Sequence, residues 1–384
     1  MAIRLIPFFV SKLVQSYVLY IIGFTVYSES NPINLSESCP MSLYIPRIPG
    51  IDFAAVGKQL GYLEIEHSDN ENDAAVIPSP IAVLSGGDGP TVLLIAGTHG
   101  DEYEGQILLQ ELIRTLNPAE VTGRLIILPA LNIAAVREGK RVSSVDRVNL
   151  NRALPGRADG GPALQIASIV AGELIPMADF VMDIHSGGIA SEYVPSAFVY
   201  QGPTPELWAA KVAAVTAFNA PYSVVVKPML KAGSISGAAD RAGVPMISTE
   251  LGGRGTVSLP ILTRARTGLR SLLGHWGVLK DAGLSEARIP IQWVELTAQS
   301  AVHSTMAGIL EPVVELGQKV TAGDLVARVH SVEELERPPK DFFAPMDGVV
   351  AIVRHPALVN VGTTVVNIAV DHGTSYLKGN HELS

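Results

Sequence analysis

One stretch in the first third of the chain constrains the fold most, because an unbroken apolar run ends there in a cluster of polar side chains. Residues Thr91 to Ala96 have the pattern of a buried strand, and a histidine and three acids follow it closely: His99, Asp101, Glu102 and Glu104. Catalytic groups in α/β sheets gather at the carboxyl ends of strands. His99 and Glu102 are three residues apart, so one turn can direct both at a single point. An imidazole and a carboxylate are ligand types that Zn²⁺ prefers, so the stretch predicts part of a zinc site.

Such a site needs a third ligand, and His185 is the best candidate. It ends a second apolar strand, which begins at Phe180, and small residues follow it. A single strand-end histidine is more often a hydrogen-bonded loop residue, but two of them with a carboxylate at turn spacing seldom occur by accident. Asp183 either supports His185 or faces away from it. We expect one Zn²⁺ per chain, with an open position for water.

At these residues the chain resembles the succinylglutamate desuccinylase/aspartoacylase family, zinc hydrolases built like the zinc carboxypeptidases. The family holds its metal by an H-x-x-E pair and a distant histidine, which the resemblance places on His99, Glu102 and His185. Residues Val244 to Gly253 match the strand, Thr-Glu and glycines around the family's catalytic glutamate, which implies that role for Glu250. Its carboxylate would take a proton from the attacking water and return it to the leaving amine. A solvated strand end is the plainer interpretation of this glutamate.

A polar segment from Asn132 to Gly156 carries a further match to the family. Residues 149–152, Asn-Leu-Asn-Arg, fit the family's D-x-N-R signature except that Asn149 replaces the leading aspartate. The resemblance implies that Asn151 and Arg152 bind the substrate's carboxylate, and Arg141 is another candidate for substrate binding. A guanidinium suits this role because it presents two parallel donors to a carboxylate. An arginine paired with a structural acid is the alternative.

The order of strands and helices predicts the fold class. Apolar strands alternate with helical segments, which favours an α/β domain with a mostly parallel or mixed sheet flanked by helices, as in the zinc carboxypeptidases. From residue 289 short strands and regular turns resemble the biotinyl/lipoyl-type barrel sandwich, without its carrier lysine. We expect an N-terminal extension at 1–40, a zinc hydrolase domain at 41–288, a smaller C-terminal all-β domain at 289–370 and a polar tail at 371–384. The extension is either a weak signal-like segment or a non-native upstream start.

Composition bears on partners and compartment. The net charge of −9 and the lack of a basic run argue against nucleic acid as a partner. The single cysteine, Cys39, cannot form an internal disulfide, and a His/Glu zinc site suits a reducing compartment. We therefore expect a cytoplasmic protein with no membrane partner, while the N-terminal segment leaves secretion as the minor alternative. The sequence leaves a homo-oligomer open.

The motifs together, in the order the family has them, predict a zinc-dependent amidohydrolase that removes a small acyl group from an N-acylated amino acid. The segment from Ser143 to Gly156, the His-Ser-Gly-Gly strand end and the β-domain look most like the N-acetyl-L-2,4-diaminobutyrate deacetylases of ectoine degradation. A succinylglutamate desuccinylase or aspartoacylase type of deacylase, acting on an acidic amino acid, is one alternative, and a non-catalytic binding module is another. An acidic substrate side chain would call for Arg141 or Arg254. A basic one would seek Glu192 or Asp240.

Overall fold

The computed structural model describes residues 45–226, 233–282 and 288–374. The predicted extension at 1–40, with Cys39, lies outside the described residues, and so does the tail from residue 375 onward. None of the helices in the described ranges combines the length and apolar character that a bilayer crossing needs.

Strands and helices follow one another along the described chain. The first strands and helices are β1 (Gly57–His67), β2 (Ala75–Ser85), β3 (Thr91–Ala96), α1 (Glu104–Thr115), β4 (Arg124–Leu128), α2 (Ile133–Glu138), α3 (Pro162–Ile169), β5 (Phe180–His185), β6 (Ser191–Tyr193), β7 (Ser196–Tyr200), α4 (Pro205–Phe218), β8 (Tyr222–Val226), α5 (Ile235–Ala242), β9 (Met246–Glu250) and α6 (Leu259–His275). The remaining strands are β10 (Gln292–Leu296), β11 (Ala301–His303), β12 (Gly308–Pro312), β13 (Lys319–Val320), β14 (Leu325–His330), β15 (Lys340–Phe343), β16 (Gly348–Arg354), β17 (Leu358–Val359) and β18 (Thr364–Gly373). After Ile169, where α3 ends, a π turn (Val170–Leu174) and a 3₁₀ turn (Ile175–Met177) continue the helical segment.

A large mixed sheet forms the centre of the structure. Its strand order is β1-β2-β4-β3-β5-β9-β7-β8-β10-β18-β16-β13. Strands β4, β3, β5 and β9 are parallel to one another, and β7 runs antiparallel to β9. The predicted α/β class with a mixed sheet and flanking helices is therefore confirmed. The parallel group places the ends of β3, β5 and β9 at one edge.

Strand β3 is buried along its whole length because it contributes to two hydrophobic cores. Val92, Leu94 and Ala96 belong to the core that includes residues of α1, α4 and α6. Leu93 and Ile95 belong to the core that includes residues of α3 and α5. A strand covered on both faces has an unbroken apolar run instead of an alternating one, which explains the sequence pattern. Full burial of each leucine contributes about 1.5–3 kcal/mol.

The C-terminal strands extend the large sheet and add a second one. Strand β10 pairs in parallel with β8 and antiparallel with β18, so the sheet continues past residue 289, where the sequence pattern changes. Strands β15, β14, β12 and β17 form a smaller antiparallel sheet, which confirms the predicted second sheet. Strand β16 also pairs with β6, with Ile352 opposite Tyr193. This pairing joins the C-terminal strands to the segment that follows His185.

Candidate active site

The loop after β3 carries His99 and Glu102 to the carboxyl edge of the sheet. Gly97 has a φ of 68°, and a Cβ there would lie 2.9 Å from the Cα of Ala130, so the close turn at the strand end requires glycine. Glu102 is 3% exposed and its carboxylate lies between two imidazoles. Its Oε1 is 2.7 Å from His99 Nδ1, and its Oε2 is 2.7 Å from His185 Nδ1.

These three side chains form a triad that can hold a metal ion. Their ligand atoms all lie within 4.8 Å of one another, and all three residues are buried. The second ring nitrogen of each histidine has its own partner: His185 Nε2 is 2.7 Å from Asp183 Oδ2, and His99 Nε2 is 3.2 Å from Asn149 Oδ1. Metal-binding histidines almost always donate their second N–H in this way. Two imidazole nitrogens and one carboxylate therefore fit Zn²⁺ in number and in chemistry.

Asn149 has a contact that the sequence did not indicate. Asn149 stands where the D-x-N-R signature has its leading aspartate, and its amide oxygen lies 3.2 Å from His99 Nε2. The same oxygen accepts the Asn151 N–H at 3.0 Å. Asn149 therefore belongs to the support of the triad, together with Asp183.

The charges of the cluster shift the pKa values of its members. Burial alone would raise the pKa of Glu102, but the positive charges of His99 and then His185 hold it well below its ordinary range. Burial alone would lower the pKa of His185, but the negative charges of Asp183 and then Glu102 raise it well above its ordinary value.

Glu250 ends β9 beside the triad. In the register of the sheet it pairs with His185, the last residue of β5. Its Oε2 is buried and has no hydrogen-bond partner among the described residues. Burial, and next the negative charge of Glu102, raise the pKa of the Glu250 carboxyl well above its ordinary value. A carboxyl with an unengaged oxygen next to a triad that can hold a metal ion has the position that a proton-transfer group needs.

A cavity of about 300 Å³ opens at this edge of the sheet. Its lining includes both histidines of the triad, Glu250 and the residues predicted to bind substrate: Arg141, Asn151 and Arg152. Glu102 is not on the lining, but its carboxylate contacts both of these histidines. The structure thus brings all the predicted site residues together. The sequence did not indicate several other residues of the lining, among them Tyr193, Phe198, Tyr200, Ser236 and Ser248.

The three predicted substrate-binding residues differ in their contacts. Arg141 is half-exposed, and its guanidinium lies 3.5 Å from Glu102 Oε1 and 3.4 Å from His99 Nδ1. The Asn151 Oδ1 accepts the Ile235 N–H at 3.0 Å, and the Asn151 Nδ2 lies 3.5 Å from His185 Nε2. Arg152 is exposed, and one of its nitrogens donates to the carbonyl of Asn151 at 2.6 Å.

Three of the four residues considered for the substrate side chain lie outside the cavity lining. Arg254 and Glu192 pair with each other, with 2.6 Å between the Arg254 Nε and the Glu192 Oε2. Asp240 forms an ion pair with Lys211, which is fully buried. Of the four, Arg141 lines the cavity.

Comparisons with known proteins find similar sequences over most of the chain. The sequence profile of the Succinylglutamate desuccinylase/Aspartoacylase catalytic domain matches residues 88–276. The chain is 36% identical, over 323 residues, to the N-alpha-acetyl-L-2,4-diaminobutyric acid deacetylase of Halomonas elongata. This match covers 83% of the chain and 93% of that protein.

Two solved structures share the fold over most of their length. The product-bound ectoine utilization protein EutE from Ruegeria pomeroyi matches with a TM-score of 0.81 and 37% identity, and the match covers 85% of this chain and all of that one. A succinylglutamate desuccinylase from a Silicibacter species matches with a TM-score of 0.81 and 36% identity, over 86% of this chain and all of that one.

Proposed function

This chain belongs to the succinylglutamate desuccinylase/aspartoacylase family of amide-bond hydrolases, and we propose that it is a zinc-dependent deacetylase of Nα-acetyl-L-2,4-diaminobutyrate. The reaction type is carried by one observation: the buried triad His99, Glu102 and His185 lies beside Glu250 at the cavity. The proposed substrate follows from the similarity to the Halomonas deacetylase, which spans nearly all of that protein.

Each residue of the site has a role in the proposed reaction. When bound at the triad, zinc supplies a Lewis acid for the amide carbonyl and for a water molecule. Asp183 and Asn149 fix the orientation of the two histidine rings. Arg141 places a positive charge at the border of the cavity, next to His99, where the carbonyl oxygen becomes negative.

Glu250 moves the proton. Its Oε2 accepts a proton from the attacking water, and the resulting carboxylic acid delivers that proton to the amine that leaves. The products are acetate and L-2,4-diaminobutyrate.

A deacylase of acidic amino acids is the competing function, because Arg141 lines the cavity and could pair with a second carboxylate. The test is to assay the zinc-loaded enzyme in parallel on Nα-acetyl-L-2,4-diaminobutyrate, N-acetylaspartate and N-succinylglutamate. We expect the highest kcat/KM with the diaminobutyrate compound. A higher kcat/KM with either diacid would transfer the assignment to the competing function.

A further inference from the structure

Ser236 is a buried polar residue to which the proposed reaction gives no role. It lies on the cavity lining and is 4% exposed. Its Oγ is buried and has no hydrogen-bond partner among the described residues. A buried hydroxyl without a partner is unfavourable for the folded state, and it therefore points to a ligand that supplies the missing bond.

The backbone around Ser236 adds a second donor. Ser236 lies in the first turn of α5, where the N–H groups have no acceptor within the helix itself. The neighbouring N–H groups are taken: Ile235 N–H donates to Asn151 Oδ1, Gly237 N–H to Ser234 Oγ and Ala238 N–H to the Ser234 carbonyl. The Ser236 N–H is the one in this turn without an acceptor among the described residues.

The start of α5 packs against the residues predicted to bind a carboxylate. The Leu154 N–H donates to the carbonyl of Gly233 at 3.0 Å, and a Cβ on Gly233 would lie 2.4 Å from the carbonyl oxygen of Arg152. The bond from Ile235 to Asn151 ties the two segments together. The donors of Asn151, Arg152 and Ser236 therefore border the same side of one cavity.

These groups are all hydrogen-bond donors, which indicates the kind of ligand that they bind. An amide N–H, a guanidinium, a backbone N–H and a hydroxyl can all donate, and a helix N-terminus favours negative charge. An ammonium group would need acceptors, which a backbone N–H and a guanidinium cannot provide. The arrangement suits a carboxylate.

We propose that Ser236 binds the substrate's α-carboxylate with its hydroxyl and backbone N–H, beside Asn151 and Arg152, and that it thereby selects Nα-acylated amino acids. This proposal rests on the proposed deacylase function. In an Nα-acyl amino acid the scissile amide and the carboxylate are attached to the same carbon atom. In the Nγ-acetyl isomer of diaminobutyrate two further carbon atoms separate them. When the carboxylate of this isomer is bound at Ser236, its amide is therefore not in position at the triad.

The test compares Ser236→Ala with Ser223→Ala. Ser223 is a matched control because it is fully buried and its Oγ has no hydrogen-bond partner in the described part of the chain, but it is not on the cavity lining. The substrates are Nα-acetyl-diaminobutyrate, N-acetyl-2-aminobutyrate, which lacks the ammonium group, and N-acetyl-1,3-diaminopropane, which lacks the carboxylate.

For the two substrates that carry a carboxylate, we expect Ser236→Ala to lower kcat/KM about 10- to 100-fold through a higher KM. This is the usual effect of losing a hydrogen bond to a charged group. The diaminopropane compound should show less than about a twofold change, and Ser223→Ala should behave as wild type throughout.

Two results would overturn the proposal. One is an equal loss on the compound without a carboxylate. The other is a loss confined to the compounds that carry the ammonium group. Calorimetric binding of L-2,4-diaminobutyrate to the metal-free protein gives a readout that does not depend on turnover, and Ser236→Ala should weaken it by a similar factor.

The same comparison separates this proposal from the proposed substrate. If the wild-type enzyme cleaves N-acetylaspartate and not the diaminobutyrate compound, the substrate assignment fails. Ser236 is then tested on N-acetylaspartate against N-acetyl-β-alanine, which lacks only the α-carboxylate. A selective loss on N-acetylaspartate supports the role of Ser236, and an equal loss on both contradicts it.

Discussion

His185 and Glu250 end two neighbouring parallel strands at the same register position. Paired residues of adjacent strands project from the same face of a sheet, so the backbone itself places a triad histidine next to the carboxyl of Glu250. The alignment depends on the hydrogen bonds of β5 and β9 and not on a loop. Rigid elements hold reacting groups more closely in place than loops do.

Replacing His185 should remove the metal. We expect one zinc per chain in the wild type and a severe loss of zinc in His185→Ala, because the remaining histidine and glutamate provide two ligands where catalytic sites use three. Metal analysis after dialysis measures the stoichiometry. His330→Ala is the control, since His330 is exposed and pairs with Glu311 in the C-terminal strands. Zinc retained at wild-type affinity by His185→Ala would remove His185 from the ligand set.

Replacing Glu250 should separate chemistry from metal binding. Glu250→Gln keeps the size of the side chain and leaves the triad intact, so zinc content and melting temperature should match the wild type. We expect kcat to fall by a factor on the order of 10² to 10⁴, the usual contribution of a positioned proton-transfer group. Near-normal turnover by a folded, zinc-loaded variant would assign proton transfer to another group.

The amide of Asn149 should tune the metal affinity. Asn149→Asp places a carboxylate on the second nitrogen of His99, which makes the imidazole a stronger ligand, and we expect tighter zinc binding in competition with a chelator. Asn149→Ala removes the acceptor and should weaken binding about 10- to 100-fold. Equal zinc affinities in the wild type and both variants would show that this contact does not influence the metal.

Zinc binding should release protons at neutral pH. The charged form of His185 stabilises the metal-free fold fully below its ordinary pKa of 6.5, and this stabilisation is lost as the pH rises through the higher folded pKa. A metal needs the neutral ring, so zinc binding should displace a proton and weaken as the pH falls. Calorimetry at pH 7 in buffers of different ionisation enthalpy counts the protons. Asp183→Asn, which removes the larger of the two charges that raise this pKa, should reduce the number released.

The sequence predicted those parts of the site whose residues lie close together in the chain or directly at the end of a strand. His99 and Glu102 lie within one turn, and His185 and Glu250 each directly end an apolar strand. The strand pattern therefore indicated their positions, and the resemblance to the family supplied the role expected of Glu250. The unbroken apolar run of β3 also indicated that both faces of this strand are buried. Local spacing contains this information because strand ends and first turns fix side-chain directions.

The contacts that could not be predicted join segments far apart in the chain. The bond from Asn149 to His99 spans 50 residues, and only the folded loop shows which oxygen meets which ring. The partners of Glu192 and Asp240 were equally hidden, because charge alone does not tell a substrate contact from an internal ion pair. For Ser236, the sequence did not indicate that the first turn of α5 lies at the cavity.

Because β6 pairs with β16, two stretches of chain that are far apart in the sequence together form one part of the cavity wall. Tyr193 stands in that wall, and the strand that fixes its backbone comes from residues 348–354, beyond the segment 88–276 that matches the family's catalytic domain. In a chimera of two family members, these two strands should therefore come from the same parent. A crossover that takes residues 191–193 from one parent and 348–354 from another recombines two halves of one hydrogen-bonded ladder, and such hybrids should lose substrate selectivity even when their triads are intact.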